Sequence, residues 1–226
     1  MSDSSSKNAV LALIIGGLLF VLLSQEYALQ SSAIILRDSL LVIWLVSLFN
    51  ILFLRNGLAR LFGIRPRQLI GLLGIPCSPL LHRDIGHLVA NTVPFAVLGW
   101  LILLQEQLQG NGNFYAVTFT VLLISGLGTW LFGRDAVHIG ASGLVFGYIG
   151  FLLVSVYAAG PTILTIGAAV LVLWIYGAQL WNVFPGADVK TMSWEGHLFG
   201  FMGGVVAGLE PEFLANLQQT IERITQ

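Results

Sequence analysis

The stretch VHIGASGLVFGYIGFLL, residues 137–153, decides how this chain is read. One hydroxyl, Ser142, stands at the mouth of an otherwise apolar run. It lies between Gly140 and Gly143, and Gly147 and Gly150 follow. A polar group without a partner is costly in an apolar medium. Glycine inside a helix costs roughly 1 kcal/mol relative to alanine. Placing both together asks what the serine faces and what the glycines make room for.

The surroundings are lipid-like. Of 226 residues, 56 % are hydrophobic and only 9 % charged, and mean hydropathy is +0.87. Soluble domains carry about 25 % charged residues, so this chain could not cover a water-facing surface. A net charge of −1 gives no reason to expect nucleic acid as a partner. The lone cysteine, Cys77, excludes an intrachain disulfide.

A membrane helix needs about 20 apolar residues. Candidate spans fall at 9–24, 34–54, 85–105, 114–133, 141–159, 162–182 and 194–209. No barrel-like alternation appears, and open strands could not satisfy their backbone in lipid. The expected fold is an all-α polytopic membrane protein with a six-helix core and one extra N-terminal transmembrane helix. The SQEYALQ after the first span is a poor cleavage site, so that span reads as a retained helix. The expected organisation is a disordered stretch over 1–8, an accessory helix and linker over 9–33, a helical domain over 34–210, and a tail over 211–226. The longest connection, about 55–84, mixes Arg, Pro and Gly with apolar clusters such as LIGLLGI. It is expected to be a partly folded loop lying in the membrane interface.

Polar groups inside a membrane are functional suspects. Here they are His87 and Asn91 in HLVAN, Ser142 in GASG, and His197 in WEGHLFG. The core helices carrying them are the second, fourth and sixth, which run in one direction. Each suspect lies near its helix start, so all share one side and one shallow depth. Asn91 follows His87 by four residues and shares its face, about 6 Å deeper. Gly196, Gly200, Gly204 and Gly208 form a ridge on the last core helix, and Gly143 and Gly147 a matching one on the fourth. Small residues let membrane helices approach closely, which brings Ser142 toward His197. Imidazole titrates near neutrality and can take the serine proton. His87, Asn91 and the Ser142 amide are candidate donors to a developing oxyanion. Glu195 leaves the helix on another face, so a Ser–His dyad is the reading.

These residues resemble a known family. HRDIGHLVAN is similar to the HxxxxHxxxN segment of rhomboid intramembrane serine proteases, through His82, His87 and Asn91. GASG is similar to their GxSG, through Gly140, Ser142 and Gly143. GHLFGFMGG is similar to their HxxGxxxG, through His197, Gly200 and Gly204. The resemblance covers about residues 39–210. It implies Ser142 as nucleophile, His197 as general base, and His87, Asn91 and the Ser142 amide as oxyanion donors. It implies no metal and no cofactor. Its substrates are membrane-anchored proteins, cleaved in or near a transmembrane segment. It makes Gly150 a packing residue and His82 a structural link between loop and helix. It makes the fifth core helix, with Trp174, Tyr176 and Trp181, a candidate lateral gate. The expected place is the lipid bilayer of a cell (plasma) membrane.

Two features depart from the family. Where bacterial members carry a tyrosine packed on the catalytic histidine, this chain has Phe146. The long loop has no tryptophan, although many members carry a Trp–Arg pair there. His138 has no assigned role and is expected to be a polar interfacial residue. The arginines of the long loop would put the site in the cytoplasm by the positive-inside rule; the resemblance implies the outer or luminal side, the orientation adopted here. The alternative function is a non-catalytic rhomboid-like binder or chaperone of membrane proteins. A transporter would need deep charges or inverted repeats, and a zinc protease an HExxH helix; neither is present.

Overall fold

A computed structural model describes residues 27–110, 112–186 and 192–213. The expected disordered stretch over 1–8, the accessory helix over 9–24 and most of the C-terminal tail lie outside them. The described residues fold into helices: α1 (Tyr27–Leu52), α2 (Gly57–Phe62), α3 (Gly74–Cys77), α4 (Ile85–Gln109), α5 (Phe114–Phe132), α6 (Ser142–Ala158), α7 (Ile163–Tyr176) and α8 (Trp194–Leu209). Short 3-10 turns at Leu69–Leu73, Ser78–Leu80 and Gly177–Val183 complete the backbone.

The helix starts are written in the sequence. Asp84, Asn113, Thr162 and Ser193 precede α4, α5, α7 and α8. Each accepts a hydrogen bond from the amide three residues on, satisfying a donor that the helix itself cannot. α6 differs. Its N-cap is Ala141, and no side chain caps its first turn.

α6 is the hub, touching α4, α5, α7 and α8. Tyr148, Ile149, Phe151 and Leu152 on it are almost fully buried. The face of α1 and α7 turned outward carries large apolar side chains, among them Leu45, Ile163 and Trp174. Such a surface suits hydrocarbon rather than water.

Gln30–Leu52, Ile85–Gln109, Phe114–Phe132 and Ile163–Val183 are long and apolar enough to cross a membrane. α6 and α8 are shorter, with 17 and 16 residues. At 1.5 Å per residue α6 is only about 25 Å long, less than the ~30 Å of hydrocarbon it sits among.

Two boundaries differ from expectation. Residues 27–33, expected as linker, are helical. Ser32 is fully buried and its hydroxyl accepts from Gln107 Nε2 at 2.6 Å, so α4 holds this turn in place. The span expected over 162–182 changes character at Gly177, where the α-helix gives way to a 3-10 turn. The long loop is folded throughout by α2, α3 and its two 3-10 turns.

Candidate functional site

The glycine ridges do meet. A Cβ at Gly204 would collide with the Gly147 carbonyl, one at Gly200 with the Gly143 carbonyl, and one at Gly150 with the Phe201 carbonyl. α6 and α8 are therefore in backbone contact, closer than any side chain permits. This fixes His197 against α6. Its ring stacks on Phe146, with centroids 4.2 Å apart and planes within 12°. Phe146 lies four residues after Ser142 and on the same helical face. The imidazole thus covers the face from which the Ser142 side chain emerges. Among the described residues the Ser142 hydroxyl makes no hydrogen bond, to His197 or to any other group. Catalytic hydrogen bonds are commonly long before substrate arrives.

The imidazole has a defined tautomer. His197 Nδ1 lies 3.1 Å from the Asn182 carbonyl. A carbonyl only accepts, so Nδ1 carries the proton and Nε2 keeps its lone pair. The orienting group is a backbone carbonyl in the 3-10 turn after α7, and no side-chain pattern in the sequence announces it. Glu195 points elsewhere, as its offset on the helix dictates. It is 1 % exposed and accepts from the Arg134 backbone N–H at 3.1 Å.

His87 and Asn91 come to the loop that enters α6. Gly140 has φ +112°, a backbone that L side chains rarely adopt. A Cβ there would sit 2.8 Å from His87 Nε2 and 3.7 Å from Asn91 Nδ2. Glycine is required on both counts, and the two side chains lie against the turn one to two residues before Ser142. Asn91 Nδ2 donates to the His87 carbonyl at 3.1 Å. His87 Nδ1 is buried with no hydrogen-bond partner among the described residues. Asp84 accepts from the His87 amide at 2.8 Å and so sets the first turn of α4. Its carboxyl is held below the usual range by that backbone hydrogen bond and then by Arg83.

His82 is fully buried. Its Nε2 accepts from the Ala141 amide at 3.4 Å, so its proton is on Nδ1, donated to Ser47 Oγ at 2.9 Å. Ser47 in turn donates to the Leu80 carbonyl at 2.8 Å. This chain ties α1 and the long loop to the residue preceding Ser142. Burial, with the charge of His87 second, lowers the His82 pKa to about 3. The Gly140 amide, bonded to the Ser78 carbonyl at 2.9 Å, adds a second tie.

His138 is not the interfacial residue that its position suggested. It is 5 % exposed and uses both ring nitrogens. Nε2–H donates to the Arg134 carbonyl at 3.1 Å, and Nδ1 accepts from Ser193 Oγ at 2.7 Å. Ser193 also caps α8. A histidine two residues before the GASG turn therefore fixes the start of the helix that carries His197. Burial lowers the His138 pKa. Trp174 on α7 and Trp181 in the 3-10 turn that follows it face outward, whereas Tyr176 at the end of α7 is buried.

The family model described as Rhomboid domain matches residues 66–210. The chain belongs to the rhomboid family, and its apolar helices make it an integral membrane protein. "Uncharacterized protein Rv1337" of Mycobacterium tuberculosis is 41 % identical over 153 residues, covering 64 % of this chain and 61 % of that one. "Uncharacterized protein ML1171" of Mycobacterium leprae is 41 % identical over 152 residues, covering 64 % and 58 %. "Putative rhomboid protease YdcA" of Bacillus subtilis is 29 % identical over 126 residues, covering 55 % and 60 %. The chain thus spans about three fifths of the length of these relatives.

Proposed function

We propose that this protein is an intramembrane serine endopeptidase of the rhomboid type, acting on membrane-anchored protein substrates through Ser142 and His197. The observation that carries the reading is the pairing of α6 and α8. It brings the helix whose uncapped N-terminus carries Ser142 against the helix whose imidazole has its Nδ1–H committed to a backbone carbonyl.

The chemistry follows from that tautomer. Ser142 Oγ attacks the substrate carbonyl carbon while His197 Nε2 takes its proton. The carbonyl oxygen becomes an oxyanion, met by the Ser142 amide, His87 and the Asn91 amide group; one such donor is worth about 10²–10³ in rate. When the C–N bond breaks, His197 returns the proton to the departing amine. Water then attacks the acyl-enzyme, His197 taking its proton and passing it back to Ser142. His82, Gly140, Gly143, Gly147, Gly150, Gly200, Gly204 and Phe146 hold this geometry rather than react. The dyad needs no cofactor or metal for acyl transfer. The protease domain is a six-helix unit ending near residue 210, preceded by an accessory transmembrane helix at 9–24, and it sits in a plasma membrane.

The test uses purified full chain in detergent, a fluorophosphonate probe and a fusion protein bearing a transmembrane segment with helix-breaking residues. Wild type is expected to be labelled and to cut. Ser142→Ala and His197→Ala are expected to lose cleavage by at least about 10³-fold. Absence of both labelling and cleavage in wild type overturns the reading in favour of a non-catalytic membrane-protein binder.

A further inference from the structure

The loop between α1 and α4 holds five arginines: Arg55, Arg60, Arg65, Arg67 and Arg83. Two are matched by acids. Arg67 pairs with Asp135 and Arg83 with Asp84. Arg55, Arg60 and Arg65 have no carboxylate partner among the described residues. They are joined instead through backbone: Arg60 donates to the Arg55 carbonyl at 3.3 Å, and Arg65 to the Arg60 carbonyl. A neutral carbonyl accepts a hydrogen bond and leaves the positive charge uncompensated. The Arg55 guanidinium makes no hydrogen bond at all among the described residues.

The same loop displays large apolar side chains. Phe53 is 72 % exposed, Leu61 60 % and Leu69 81 %. Cations interleaved with bare hydrocarbon suit the boundary between lipid tails and headgroups. The backbone is strained to hold this arrangement. Arg55 and Asn56 have φ of 46° and 63°, in the left-handed region that favours glycine. Buried Asn50 pins the turn, its Oδ1 accepting from the Leu58 amide at 3.0 Å and its Nδ2 donating to Asn56 Oδ1 at 3.1 Å. The turn thus projects an arginine whose guanidinium has no hydrogen-bond or carboxylate partner among the described residues.

Charge is polarised over the whole molecule. At the end bearing Ser142, the described charges are Arg55, Arg60, Arg65, Arg67, Arg83 and Arg134 against Asp84, Asp135 and Glu195. Elsewhere they are Arg37 against Asp38, Glu106, Glu210 and Glu212. The net excess of cations is at one membrane surface. We propose that Arg55, Arg60 and Arg65 form a binding surface for anionic phospholipid headgroups beside the candidate site. A free phosphate ion would satisfy the guanidiniums but not the flanking Phe53, Leu61 and Leu69, which favours the lipid.

Native mass spectrometry of the full chain, released from detergent with equal phosphatidylglycerol and phosphatidylcholine of matched acyl chains, tests this. Wild type is expected to retain phosphatidylglycerol in excess. Arg55→Gln, which breaks no side-chain hydrogen bond or ion pair among the described residues, is expected to cut that preference about fivefold, the worth of one arginine near an anionic surface. A triple Arg55→Gln, Arg60→Gln, Arg65→Gln variant is expected to abolish it, and Arg37→Gln to leave it unchanged. Equal retention of both lipids by wild type overturns the proposal. So does an unchanged preference in Arg55→Gln, or complete displacement of phosphatidylglycerol by excess inorganic phosphate. None of these outcomes depends on proteolysis.

Discussion

At the scale of single residues, His82 does its work as a neutral ring. Its Nε2 lone pair holds the Ala141 amide and its Nδ1–H holds Ser47. Protonation would turn an acceptor into a donor facing another donor. The folded pKa of about 3 lies below the unfolded value of 6.5. The unfolded chain therefore binds the extra proton first, and stability is full above pH 6.5 and falls as pH drops toward 3. At pH 5 the loss is on the order of 2 kcal/mol for one such group. His138, also shifted down by burial, acts in the same direction. Thermal midpoints in detergent are expected to fall between pH 7 and pH 5. His82→Gln, whose side-chain oxygen can still accept from Ala141, is expected to flatten part of that slope. An equal slope in the variant would place the acid sensitivity elsewhere.

At the scale of elements, the α6–α8 contact is the joint on which the site depends. Gly204 faces the Gly147 carbonyl without room for a methyl group. Gly204→Ala is expected to destabilise by about 1–3 kcal/mol through overpacking and to lower probe labelling of Ser142. Gly167 in α7 has open space around it. Gly167→Ala is expected to be neutral or stabilising by up to about 1 kcal/mol, from helix propensity alone. Melting both variants side by side separates contact from propensity. Similar losses at the two glycines would remove the special role given to the ridge.

At the scale of the whole molecule, the charge polarity and the family resemblance disagree about which membrane face carries the site. Arginine excess argues for the cytoplasmic side. A surface engaged with headgroups offers one way for those arginines to stay on the outer side. Cys77, the single cysteine, lies partly exposed in the same loop, at the end that bears Ser142. In intact cells a membrane-impermeant maleimide is expected to label Cys77. Labelling only after permeabilisation would put the site in the cytoplasm.

The sequence by itself determined the membrane-borne helical class, because apolar length and charge poverty are properties of composition. It also picked out Ser142, His197, His87, Asn91 and the glycine ridges as one candidate set, because helix period and parity convert spacing into a shared face and depth. His82 came from a motif. What lay beyond reach was whatever depends on backbone atoms or on distant chain segments meeting. The Asn182 carbonyl that sets the His197 tautomer has no side-chain signature. The His138–Ser193 hydrogen bond joins residues 55 positions apart, and a histidine beside an apolar run reads as interfacial until its partner is seen. Tyr176 could be assigned to a face only once α7 had packed. The helical character of residues 27–33 was hidden because Ser31 and Ser32 look like linker until Gln107 on α4 is seen donating to both. Local pattern fixes which groups exist and on which face; tertiary packing alone decides which of them touch.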